Sequence, residues 1–262
     1  MNSASKKAIL VVSFGTSYEN TRKLTIEAIE HDIADAFPAC PTYRAWTSKM
    51  IIAKLKKRDG LTIHTVKEAL EQMLLDGITD VIVQPTHVIN GIENDQMKAD
   101  APSFRDRFSS IVFGNPLLTT EEDNQAIVRV VADEFRDMDP DTALVLMGHG
   151  TEHFANSAYS QFENMLRDLG HESTYVGTVE GFPSLDYVIR RLKIRDIKKV
   201  YVMPLMIVAG DHAHNDMAGD SPDSWVCQFE NAGFEVCPII KGLGEYPGIR
   251  RMYVEHAQKA ID

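Results

Sequence analysis

Two histidines and a glutamate stand where three separate strands would release them. His149 lies in Gly148-His149-Gly150, directly after the apolar run Ala143–Met147. Glu180 follows Thr174–Val179, and His212 follows Lys199–Met203 after the apolar extension Pro204–Ala209. Open parallel sheets bind ligands beyond the carboxyl ends of their strands. Side chains leaving three strands at that edge can therefore meet, although they are far apart in sequence. Two imidazoles and a carboxylate suit a borderline divalent ion such as Co²⁺, Fe²⁺, Ni²⁺ or Zn²⁺, and three protein ligands leave positions open for a substrate. Each residue also has a plainer explanation. Gly148-His149-Gly150 reads equally as a tight turn, and Glu180 as a loop cap. Asp211–Asp216 reads as an exposed loop, or as a self-contained pair of His212 and His214. The favoured arrangement turns His212 inward and leaves His214 behind it or facing solvent. The glycines beside His149 allow backbone to approach a large flat ligand. His87, in Pro85-Thr86-His87 after an earlier strand, is a candidate to face the same cleft. His31, His64, His153, His171 and His256 read as surface or capping residues.

The segments carrying these histidines are second copies. GITDVIVQPTHVINGIEND from Gly77 aligns with DIKKVYVMPLMIVAGDHAHND from Asp196, matching Pro85 with Pro204 and Gly91 with Gly210. KAILVVSFGTS from Lys7 aligns with DTALVLMGHGTE from Asp141, matching Gly15-Thr16 with Gly150-Thr151. LKKRDG at Leu55 repeats more weakly as LKIRDI at Leu192. The order is the same in both halves, which implies an internal duplication. Phe14 stands where the second copy has His149, and Glu93 and Asp95 where it has His212 and His214. Only the second half carries metal-ligand chemistry.

Short apolar runs alternate with segments of helical period. Strands are predicted over residues 8–14, 42–46, 80–84, 111–114, 143–147, 174–179, 199–203 and 235–239. Helices are predicted over 20–37, 49–57, 65–75, 94–108 (interrupted at Pro102), 121–138, 154–169, 184–192, 225–232 and 249–260. Strands that are apolar throughout, alternating with helices, imply parallel sheets covered on both faces. The predicted fold is α/β, with two doubly wound parallel-sheet lobes related by internal duplication. The first lobe is predicted to span 1–118 and the second 119–262, with the last helix crossing back to the first.

A chain of 262 residues with 44% hydrophobic and 25% charged residues has the composition of a soluble globular protein. A net charge of −11 disfavours nucleic-acid binding, which needs a basic footprint. No run of about 20 apolar residues exists to cross a membrane. Cys40, Cys227 and Cys237 show no paired spacing, which fits a reducing compartment. The apolar start Ala8–Val12 is too short for a signal segment, so a cytoplasmic location is expected. No G-x-x-x-x-G-K-[ST] or G-x-G-x-x-G loop is present, so neither ATP nor another nucleotide is expected as cofactor. Ser13-Phe14-Gly15-Thr16-Ser17, at a helix start, is a candidate backbone site for a substrate carboxylate. Self-association into a homo-oligomer is left open.

Leu10–Ser17, Met147–Gly150, Val179–Pro183 and above all the long stretch Pro204–Asp220 resemble the anaerobic cobalt chelatases. These are the sirohydrochlorin cobaltochelatases of cobalamin biosynthesis, class II chelatases. The resemblance covers nearly the whole chain. It implies a two-lobed fold like that of ferrochelatase and ATP-independent insertion of Co²⁺ into sirohydrochlorin or precorrin-2. It also implies that His149, Glu180 and His212 hold the metal, with His149 as proton acceptor. Glu180 would share the catalytic work. Phe14 and Gly15, with His87, are then expected at the tetrapyrrole cleft, Phe14 as an apolar wall for the ring. Arg44, Lys49, Lys54 and Arg190 are candidates to meet the eight substrate carboxylates. Fe²⁺ insertion for siroheme, Ni²⁺ as the metal, and a carrier without turnover remain open alternatives.

Overall fold

The computed structural model describes residues 5–100 and 103–261. Its strands are β1 (Lys7–Ser13), β2 (Thr42–Trp46), β3 (Asp80–Pro85), β4 (Ser110–Phe113), β5 (Thr142–Gly148), β6 (Thr174–Thr178), β7 (Lys199–Pro204) and β8 (Glu235–Pro238). They form two wholly parallel four-stranded sheets, ordered β2-β1-β3-β4 and β6-β5-β7-β8. The helices are α1 (Glu19–Leu24), α2 (Ile26–Ala36), α3 (Lys49–Asp59), α4 (Val66–Leu75), α5 (Ile92–Asp100), α6 (Glu121–Val131), α7 (Ser157–Asp168), α8 (Leu185–Ile194), α9 (Trp225–Asn231) and α10 (Pro247–Ile261). Two compact units result. One comprises residues up to Leu117 and from Arg250 onward, the other Leu118–Ile249, and the division falls inside α10.

The apolar strands explain the layering. In the second unit, Ala143, Val145 and Met147 of β5 share a core with Val188 and Leu192 of α8 and with Trp225 and Phe229 of α9. The alternate residues Leu144 and Leu146 point the other way and are also fully buried. A parallel strand covered on both faces must read as a continuous apolar run. The first unit repeats this, with Ala8, Leu10 and Val12 of β1 packed in one cluster with Leu70 and Met73 of α4. Side-chain caps fix several helix starts. Thr65 with Glu68 and Thr120 with Asp123 form reciprocal capping boxes, and Ser48, Ser184 and Ser224 cap α3, α8 and α9.

The duplication is visible in strand register. Val12 pairs with Pro85 across β1 and β3, and Met147 with Pro204 across β5 and β7. These are the residues that the aligned motifs match.

The structure corrects three predicted helices. The segment 20–37 breaks at Thr25, whose backbone leaves the helical region at φ −121° and ψ −79°. Its hydroxyl donates back to the Thr21 carbonyl, as a helix-interior threonine can. The segment 121–138 stops at Val131 and tightens into a 3₁₀ turn over Ala132–Phe135, ahead of Pro140. The segment 94–108 begins earlier, at Ile92, and its helix ends by Asp100; Pro102 lies outside the described residues. Phe104 and Phe108 are then buried from turns. Two histidines read as surface or cap are core residues. His171 is buried with its Nε2 2.9 Å from an Asp133 carboxylate oxygen, and buried His256 donates from Nδ1 to the Asn115 carbonyl at 3.0 Å.

Candidate metal centre

Residue His149 is held by the turn that ends β5. The Gly148 carbonyl accepts from the Val179 N–H at 3.1 Å, and the His149 carbonyl from the Glu180 N–H at 2.8 Å. The loops after β5 and β6 thus run side by side, which brings His149 and Glu180 together. Their glycines serve this packing. A Cβ on Gly148 would lie 2.4 Å from the Tyr159 ring. A Cβ on Gly150, which has φ +83°, would lie 2.8 Å from the Gly181 nitrogen. The expectation that these glycines admit a flat ligand is therefore corrected: the missing side chains make room for the protein itself.

His212 opens a single turn of π-helix, His212–Met217, after β7. Its ring meets the His149 ring edge to face, with centroids 4.6 Å apart and planes at 89°. The His212 Nδ1 donates to the Asp216 carboxylate at 2.5 Å. The His149 Nδ1 donates to the Gly150 carbonyl at 2.9 Å. Both acceptors lack a proton, so each bond places the ring hydrogen on Nδ1. In the neutral rings the lone pair then sits on Nε2, free to bind a metal or take a proton. Glu180 lies beside His149, one carboxylate oxygen 3.8 Å from the His149 Nδ1. Its side chain is 59% exposed, against 40% for His149 and 33% for His212. Among the described residues, no three His, Cys, Asp or Glu side chains are gathered tightly enough to enclose a metal ion. His214 is exposed on the same turn.

Asp216 was not singled out in the sequence, although its four-residue spacing from His212 puts the two on one helical face. Such outer partners orient a ligating imidazole and raise its basicity. Asp216→Asn is expected to weaken Co²⁺ binding about 10–100-fold while leaving the fold intact. Isothermal titration alongside a thermal melt checks this.

The first unit carries the same backbone pattern without the candidate ligands. The Thr47 N–H donates to the Ser13 carbonyl at 2.9 Å and the Ser48 N–H to the Phe14 carbonyl at 3.2 Å. Ser48 is thus the counterpart of Glu180, as Phe14 is of His149, and Ser48 is spent on capping α3. Glu93, the counterpart of His212, lies in the first turn of α5. Phe14 is 44% exposed, and Gly15, at φ +104°, closes on the Trp46 ring, where a Cβ would lie 2.5 Å from a ring carbon. Both His87 ring nitrogens are shut off from solvent and have no hydrogen-bond partner among the described residues.

Burial pushes the His87 imidazole down to about 4, from an ordinary 6.5, against a small opposing pull from Glu93. Below pH 6.5 the unfolded chain takes up this proton, whereas the folded one does so only near pH 4. Stability therefore falls as pH drops through that window, by on the order of 3 kcal/mol in all. His87→Leu is expected to flatten this part of the stability–pH curve, measured by urea unfolding between pH 4 and 7.

Residues 7–262 match the family described as Cobalt chelatase (CbiK). The chain belongs to this family. A sirohydrochlorin cobaltochelatase of Salmonella typhimurium is 40% identical over 257 residues, covering 98% of this chain and 97% of the relative. Sirohydrochlorin cobaltochelatase CbiKC of Nitratidesulfovibrio vulgaris is 32% identical over 263 residues, covering 98% and 91%. SirB from Bacillus subtilis, solved with Fe³⁺, superposes with a TM-score of 0.67 at 14% identity, covering 97% of this chain and 95% of that one. That likeness is one of fold, and it makes the duplicated α/β architecture a chelatase fold.

In this CbiK-family chain the candidate basic residues differ in availability. Arg44 is committed to Glu30 through Nε at 2.8 Å and to Glu27 at 3.6 Å. Lys49, Lys54 and Arg190 are exposed. The candidate anion site before α1 already has Glu19 in the first turn of that helix, which opposes a second negative charge.

Proposed function

We propose that this protein inserts Co²⁺ into sirohydrochlorin without ATP, using His149, Glu180 and His212. The observation that carries the reading is the pair of perpendicular imidazoles, His149 and His212, each with Nδ1 tied to an acceptor and Nε2 left with its lone pair. The names of the two sequence relatives supply the metal and the ring. The absence of a phosphate-binding loop from the sequence supports independence of ATP.

Insertion exchanges one M²⁺ for the two protons of the pyrrole N–H groups. The Nε2 atoms of His149 and His212 present the ion, and Glu180 swings its exposed carboxylate in as a third ligand. As the metal passes to the ring nitrogens, the vacated His149 Nε2 takes one pyrrole proton and the second passes to solvent water. The resulting imidazolium keeps its Nδ1 bond to Gly150, and Glu180, 3.8 Å from that nitrogen, stabilises the new charge. The open geometry suits a metal that is cargo, since a closed set of ligands would hold it too firmly to release. No helix among the described residues is long and apolar enough to cross a membrane.

An anaerobic absorbance assay tests this. Protein at one-hundredth of the sirohydrochlorin concentration, with excess Co²⁺, should convert all of the tetrapyrrole at a rate unaffected by ATP. Conversion of only an equivalent amount would make the protein a carrier. A parallel arm with Fe²⁺ ranks the siroheme alternative.

A further inference from the structure

The loop that carries Glu180 leads into a stack of side chains outside the metal centre. The Phe182 ring is 56% exposed and lies against Tyr187, with centroids 4.9 Å apart. The Arg190 guanidinium sits over the other reach of this group, 5.9 Å from the Tyr187 centroid. Arg191 also lies over Tyr187, at 5.3 Å, but its charge is used: its Nη1 donates to the buried Glu163 carboxylate at 2.5 Å. Arg190 is exposed and pairs with no carboxylate among the described residues. An aromatic ring and a free cation are thus displayed together, two and ten residues after Glu180.

This display is braced. The Asn156 Oδ1 accepts from the Thr151 N–H at 3.0 Å, and its Nδ2 donates to the Phe182 carbonyl at 2.6 Å. Gly181 has no Cβ because one would lie 2.7 Å from that Oδ1. Asn156 therefore ties the chain after His149 to the chain after Glu180. An exposed phenyl ring on a mobile loop would be unremarkable; held in place beside a charged, unpaired arginine, it offers a preformed surface for a ligand that is aromatic in its body and anionic at its edge.

We infer that Phe182, Tyr187 and Arg190 form a positioning subsite for the tetrapyrrole, Phe182 touching the ring edge and Arg190 pairing with one of its peripheral carboxylates. This rests on the function proposed above. With a net charge of −11 on the chain, a local cation favours the approach of a polyanion to this place. Tyr187 aligns the two outer groups through its ring contacts with both.

Anaerobic fluorescence titration tests the inference on the whole protein, with sirohydrochlorin as ligand and Co²⁺ titrated separately. Loss of one charge-assisted contact is expected to weaken sirohydrochlorin about tenfold in Arg190→Gln, with partial recovery in Arg190→Lys. Phe182→Leu should weaken it less, and the Arg190→Gln protein should lose part of the salt dependence seen in the wild type. Co²⁺ affinity should stay at the wild-type value in both, which separates a ring subsite from a general disturbance of the site. Unchanged sirohydrochlorin affinity in Arg190→Gln and Phe182→Leu, or a parallel fall in Co²⁺ affinity, would overturn the subsite. Failure of the wild type itself to bind the tetrapyrrole would instead sink the proposed function.

Discussion

Replacing His149 by alanine is expected to slow metal insertion by about 10²–10⁴-fold, the usual contribution of a positioned general base. The His149 side chain is 40% exposed and lies outside the apolar core clusters, so its loss should leave the fold intact. Two functions are removed together: one metal ligand and the acceptor for a pyrrole proton. They separate by measurement. Weaker metal presentation is offset by raising the Co²⁺ concentration, whereas a missing base is not. The expected result is a maximal rate that stays low at saturating Co²⁺ and gains from a small exogenous base such as imidazole. Steady-state absorbance kinetics across Co²⁺ and imidazole concentrations decide it. Wild-type rates in His149→Ala would remove the residue from the mechanism.

Gly150→Ala is expected to damage both stability and turnover. A non-glycine residue held in left-handed backbone costs roughly 1–3 kcal/mol. At Gly150 the new Cβ would also press on the Gly181 nitrogen at 2.8 Å and on the Thr178 Cβ at 2.9 Å, atoms of the neighbouring loop. Relief of that contact must part the two loops that bring His149 to Glu180. Gly170 provides the control. It has φ +86°, and a Cβ there meets nothing within 4 Å. Gly170→Ala should lose only the backbone contribution and keep its activity. Gly150→Ala should melt at a lower temperature than Gly170→Ala and lose most of its turnover. Calorimetry and the absorbance assay on both proteins compare them. Equal activity in the two variants would show that the loop register does not matter to the site.

Much of this architecture is legible in the sequence because parallel strands buried on both faces have an unambiguous signature. Ala8–Val12 and Ala143–Met147 are continuous apolar runs, and each became the second strand in the order of its sheet. The repeat of Pro85 at Pro204 fixed which residues correspond, and the two sheets share that register. The rule that ligands gather beyond the strand ends brought His149, Glu180 and His212 together without any contact information. What stayed hidden depends on distances that no local pattern encodes. Asp216 lies one turn from His212, but a polar stretch such as Asp211–Asp216 reads as loop, and its π-helical turn leaves no simple period. Glu180 sits beside Nδ1 rather than Nε2 of His149, a choice set by the Gly150 carbonyl. His171 and His256 look like solvent-facing residues because their partners, Asp133 and Asn115, are distant in sequence. The helix break at Thr25 leaves no mark in the sequence because apolar spacing continues across it, from Leu24 to Ile29.

The most direct test of the account is whether Co²⁺ bound to the free protein is held by both imidazoles. X-ray absorption at the cobalt edge, on wild type and on His149→Ala and His212→Ala, reports the imidazole scattering around the ion. The account predicts two imidazoles in the wild type and one in each single variant, with Glu180→Gln changing only the oxygen shell. An all-oxygen shell in the wild type, or an imidazole count unchanged in both histidine variants, would contradict it.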